Sequence, residues 1–158
     1  MLLMAPSLHA SSSMEPPLRV PAEGRGIVEL ADYGITTRLK APYEETVERV
    51  RAALKEEGFG VLTEINVRDT IKEKLGLDFK KYVILGACNP VMAHRALSAD
   101  PLVGLLLPCN VIVYEEDGMS VVSAIDPIGM MGDLPNATLK QVANEVRPRL
   151  ERVIRKLD

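Results

Sequence analysis

Apolar side chains recur along this chain with two periods, and each change of period marks an element. Ile35, Thr37 and Leu39 alternate with polar neighbours, which predicts a strand over 34–40. Pro42 then suits a first helical turn, and Tyr43, Val47, Val50 and Leu54 draw one stripe along a helix. Glu44, Glu45 and Glu48 favour its N-terminal end, and Gly58 is placed to stop it. Phe59, Val61, Thr63, Ile65 and Val67 alternate again, as a half-buried strand would. Asp69 suits the cap of a short helix that runs to Leu75 and closes at Gly76.

The second half is more apolar. Lys81 to Ala87 is nearly continuous and predicts a central strand. Asn89 and Pro90 form a cap and first-turn pair for a helix over 91–99, and Leu102 to Leu107 reads as a short apolar connection. Asn110 to Glu115 and Met119 to Ile125 predict two strands joined at Asp117-Gly118, a hairpin signal. Thr138 and Gln141 fit a capping box for a long last helix. Its stripe is Leu139, Val142, Val146, Leu150, Val153 and Leu157, and Pro148 interrupts its backbone bonding. The fold class that follows is α+β. A mostly antiparallel sheet of about five strands is covered on one face by two long helices, with one or two short helices besides.

Residues 1–32 lack any amphipathic period and hold Pro6, Pro16, Pro17, Pro21 and three consecutive serines. They read as a mobile tail before a single domain over 33–158, with Met14 or a later residue as an alternative start. The start of the chain lacks the basic residues and apolar run of a secretory signal. Hydrophobic residues make up 47% and charged residues 26% of 158, too apolar for disorder and enough for one core. A net charge of −3 without a basic stripe argues against a nucleic-acid surface. No apolar stretch reaches the roughly 20 residues of a membrane span. Two cysteines make no disulfide framework and suit reduced thiols in a cytoplasm.

Several stretches carry a family likeness. They are Glu57 to Glu64, Ile71 to Gly76, Gly86-Ala87-Cys88-Asn89-Pro90, Ala93-His94-Arg95-Ala96-Leu97, Leu107-Pro108-Cys109-Asn110-Val111 and Ala124-Ile125-Asp126-Pro127. On them, from about residue 33 to the C-terminus, the chain resembles the domain of unknown function family 302 (DUF302). The resemblance implies a compact α+β fold, a sheet gripped by helices, and a homodimer. It implies no established activity and no agreed catalytic residues.

One cluster of residue types carries chemistry. Cys88 is expected at a strand end and helix mouth, Cys109 at the start of the next strand, and His94 in the second turn of the intervening helix. A helix N-terminus favours thiolate, the form that binds metal or attacks electrophiles. Cys88, His94 and Cys109 therefore form a candidate three-ligand set for zinc or copper(I). Asn89, Asn110 and Asp126 are candidates for the same ligand site, with Met130 and Met131 near its rim. The plainer reading makes both cysteines small core hydrophobes, Asn89 a helix cap and Asn110 a turn residue.

Glu115-Glu116-Asp117 suits a solvated hairpin tip, and Gly24-Arg25-Gly26 lacks the frame of a phosphate loop. No triad, phosphate loop or carboxylate pair is visible. The function expected is a non-enzymatic, homodimeric module binding a small ligand or a protein. A thiol-redox or metal-handling protein using Cys88, Cys109 and His94 is the alternative.

Overall fold

The run from Tyr82 to Cys88 is apolar on both faces, and it sits inside a sheet rather than at its edge. The computed structural model describes residues 29–31, 33–131 and 133–158. In chain order the elements are β1 (Glu29–Ala31), β2 (Gly34–Leu39), α1 (Tyr43–Glu56), β3 (Gly60–Asn66), α2 (Val67–Leu75), β4 (Tyr82–Cys88) and α3 (Pro90–Ala99). A 3-10 turn (Pro101–Leu106), β5 (Cys109–Glu116), β6 (Met119–Ile125), α4 (Pro127–Met131) and α5 (Ala137–Arg155) complete them.

The strands form one sheet in the order β1-β2-β6-β5-β4-β3, with every neighbouring pair antiparallel. This is the α+β architecture expected, with the short β1 added to the five strands. Glu29–Ala31 pairs with Gly34–Thr36, so the end of the expected tail belongs to the sheet. The rest of that tail, residues 1–28 with Gly24-Arg25-Gly26, lies outside the described residues.

One sheet face is built from Ile35, Thr37 and Leu39 of β2, Val83, Leu85 and Ala87 of β4, Cys109, Val111 and Val113 of β5, and Val122 and Ala124 of β6. All are buried. Helix α1 covers this face with Val47, Val50 and Leu54, and α5 with its expected stripe from Leu139 to Val153, which buried Leu157 continues past the helix end. A fully buried Leu such as Leu54 or Leu150 contributes roughly 1.5–3 kcal/mol by leaving water. Helix α5 runs unbroken through Pro148, because buried Val146 and Leu150 hold the turns on either side.

Local details correct the sequence reading. Asn66, not Asp69, caps α2; its side chain accepts from the Asp69 N–H at 3.1 Å. Asn136, not the Thr138–Gln141 box, caps α5, accepting from Thr138 and Leu139 at 2.9 and 3.2 Å. Both asparagines lie three residues upstream of a bonded N–H, where an Asx side chain reaches best. The connection Leu102–Leu107 is largely a 3-10 turn capped by Asp100.

Strand β3 is mostly exposed rather than half-buried, because it lies at the sheet edge. A register shift between Val61 and Thr63 breaks its alternation. Val61 therefore lies opposite inward Ala87, while Thr63 and Ile65 lie opposite outward Gly86 and Ile84. The β5–β6 turn places Asp117 at φ 51° and Gly118 at φ 73°, as an Asp-Gly hairpin turn demands.

Candidate functional site

Strands β4 and β5 bring the two cysteines to one end of the sheet. Ala87 lies opposite Cys109, and Cys88 follows Ala87 at the end of the same strand pair. Cys109 points into the helix-covered core and is buried, whereas Cys88 is half-buried at the end of β4. The chain leaves β4 through Asn89, whose side-chain oxygen accepts from the Met92 N–H at 3.3 Å and starts α3. Pro90 at the first helical position leaves no donor wasted there.

Helix α3 lays Met92 and Ala96 against α5, which answers with Val142, Ala143 and Val146. Between these helices and the ends of β4 and β5 a half-enclosed pocket of about 30 Å3 remains. Cys88, Asn89 and Cys109 line it, as do Phe59, Met131 and Pro127. On a scale of about 10–15 Å3 per water-sized occupant, it takes two or three non-hydrogen atoms. Its lining is almost wholly apolar, and the two thiols are its only ionisable side chains.

Burial pushes the Cys109 thiol up from 9.0 to about 11, and the neighbouring Cys88 adds to the shift. That direction is opposite to an activated thiolate, so Cys109 is a protonated thiol at neutral pH. At the mouth, Asn89 Nδ2 and Arg149 Nη1 both lie close to Gly58, at 3.1 and 3.9 Å from the site a Cβ would take there. Arg149 also donates to the Glu57 carbonyl at 3.3 Å.

The remaining candidates lie elsewhere. His94 is exposed, because it sits two residues from both buried Met92 and buried Ala96 and so faces away from the pocket. Among the described residues no three His, Cys, Asp or Glu side chains gather as a metal-binding group, so the set Cys88, His94 and Cys109 does not assemble. Asn110 is exposed and lies opposite Gly86, on the sheet face away from the core. Asp126 accepts from the Ile128 N–H at 2.9 Å and from Arg147 Nε at 3.1 Å, which starts α4 and ties it to α5. Met131 lines the pocket, while Met130 packs partly buried beside the core.

Met92 and Ala96 were missing from the sequence reading. One helical turn apart, they could have been read as a stripe that meets the Val142 and Val146 stripe over the cysteines.

The model of the family described as "Domain of unknown function DUF302" matches residues 35–157, almost the whole described chain. The chain belongs to the DUF302 family. A crystal structure of an uncharacterized conserved DUF302 protein from Bacillus stearothermophilus is 36% identical to it, with a TM-score of 0.75. The likeness covers 81% of this chain and 100% of that one. No protein of curated function matches the sequence. The DUF302 match takes in both cysteines, α3 and α5, hence every wall of the pocket.

Proposed function

We propose that this DUF302 domain is a non-enzymatic binding module, paired with a second copy of itself, that holds a small soft ligand in the pocket of Cys88 and Cys109. One observation carries the reading: residues as distant in sequence as Phe59, Cys88, Cys109 and Val146 line one apolar pocket that contains no acid, base or imidazole. Acid–base catalysis needs a group of tuned pKa within hydrogen-bond reach, and the pocket's only ionisable groups are thiols. An apolar lining with sulfur atoms suits a ligand that is apolar and polarisable. The free thiols suit a reducing compartment such as the cytoplasm.

The pairing is supported by the sheet face opposite α1 and α5. It carries Ile65, Ile84 and Ile112 side by side, and a ring cluster of Phe79, Tyr82 and Tyr114. Three of the chain's six aromatic residues thus gather on the face that the long helices leave open. Aromatic enrichment of that kind marks protein interfaces. A two-fold axis would set this same patch of each copy against the other. Light scattering should give twice the 17.3 kDa chain mass, with Ile84→Asp and Ile112→Asp returning monomers. A monomeric parent chain would remove the pairing.

The ligand site is tested with dimethyl sulfide, a soft probe of three non-hydrogen atoms. In protein labelled at its methionine methyls, the Met92 and Met131 signals should shift saturably and Met119, on the distant hairpin, should not. Equal response at all three would count against the pocket. A thiol-redox reading is favoured by one fact only, that Cys88 directly follows Ala87, the strand partner of Cys109. It predicts a reversible loss of two hydrogens in mass on mild oxidation; two thiols that stay free would dismiss it.

A further inference from the structure

We propose that the pocket is a copper(I) site whose ligands are the sulfurs of Cys88, Cys109, Met92 and Met131. The inference rests on the pocket being a binding site and adds what binds there.

Three observations converge. Four of the pocket's fifteen lining residues carry sulfur, although the whole chain holds only two cysteines and seven methionines. Both cysteines of the molecule are spent here. The free space, about 30 Å3, is an order of magnitude below the roughly 300–1,000 Å3 of an organic-ligand pocket, so it suits an ion rather than a metabolite. The lining offers no carboxylate and no imidazole, which rules against calcium and magnesium and deprives zinc of its nitrogen and oxygen ligands. Thiolate together with thioether is the donor set that selects copper(I).

The ligands come from separate elements. Cys88 ends β4, Cys109 opens β5, Met92 lies in the first turn of α3, and Met131 ends α4. The short helices α3 and α4 thus close over the strand ends, each with a flexible thioether that can adjust its reach. Met92 is already engaged through its sulfur, which receives Arg95 Nη1 at 3.5 Å. On binding, each thiol gives up its proton to solvent as a Cu–S bond forms, and copper stays in the +1 state. Two thiolates and one Cu(I) leave a single negative charge. The N-terminal end of α3, beside Cys88, and the nearby Arg149 guanidinium lie where they offset it.

The test is an anaerobic titration of the reduced full chain with Cu(I) against bicinchoninate as competitor. One copper per chain should be retained. Cys88→Ser and Cys109→Ser should each weaken retention at least ~100-fold, and Met92→Leu or Met131→Leu about 10-fold. His94→Ala should change nothing, and copper-edge absorption should find sulfur neighbours alone. Cys109 is in the core, so circular dichroism must accompany its variant. Cys88 is half-exposed, and Cys88→Ser keeps the test open should Cys109→Ser unfold. Copper stripped completely by the competitor, undiminished retention in folded Cys88→Ser, or a loss in His94→Ala would each overturn the proposal. Methionine shifts with dimethyl sulfide but no retained copper would overturn this inference alone; neither response would take the binding-site reading with it.

Discussion

Thr63 lies across Gly86 so closely that a Cβ on Gly86 would meet its Oγ1 at 2.0 Å, with Pro108 Cγ at 2.7 Å on the other side. Gly86 is two residues before Cys88, and Pro108 adjoins Cys109. The glycine is what lets three strands close up beneath the two cysteines. Alanine there forces a short β-branched side chain or a proline ring to move. Gly86→Ala should cost about 1–3 kcal/mol in urea unfolding, as overpacking does, and Thr63→Ala should restore part of it. A Gly86→Ala protein as stable as the parent would show that the strands have slack at this end.

Cys109 predicts a stability change with pH. Its folded-state pKa is raised, so the folded protein holds the proton more tightly than the unfolded chain. The stabilisation is complete below the unfolded value of 9.0 and is lost as pH rises to about 11. Two units at about 1.4 kcal/mol each make that loss ~2–3 kcal/mol. Other groups titrate in this range, so the measurement is the difference between parent and Cys109→Ala in urea unfolding at pH 8 and pH 10.5. The parent should lose more. Parallel losses would mean that Cys109 is not desolvated.

Glu57 predicts the opposite sign in acid. Its carboxylate, 10% exposed at the end of α1, takes Arg152 of α5 in a forked contact at 3.0–3.2 Å and Lys156 at 3.0 Å. The Arg152 hydrogen bonds hold its pKa below the ordinary carboxylate value against the cost of burial. A lowered pKa gives stability that is present above about 4.5 and lost as pH falls through the folded value. Arg152→Met should leave the carboxylate half-satisfied and shift acid unfolding to higher pH by several tenths of a unit or more. An unchanged acid midpoint would show Lys156 to be sufficient.

Much of this fold was legible because its signals are local and repeated. Val47, Val50 and Leu54, or Leu139 through Leu157, can only be one helical face, and Asp117-Gly118 can only be a tight turn. The failures were of two kinds. Asn66 and Asn136 beat Asp69 and Thr138 as caps, a choice between neighbours that propensity does not make. The register shift after Val61 is a tertiary matter, since it turns Thr63 toward Gly86 on the outer side. For the site, Cys88 and Cys109 could be brought to one sheet end from strand order alone. Met92 could not be added without knowing which face of α3 meets α5, and His94 was misplaced for the same reason. The helix phase that buries Met92 and Ala96 necessarily turns His94 outward.

The most direct measurement is a crystal of the chain under xenon pressure. Xenon is soft, apolar and of the right size for one such pocket. Occupancy between Met92, Met131 and Cys109, abolished by Ala143→Leu, is the result that a preformed ligand pocket requires. Xenon absent there, or bound only among other core side chains, would contradict a binding role for the cysteine end of the sheet.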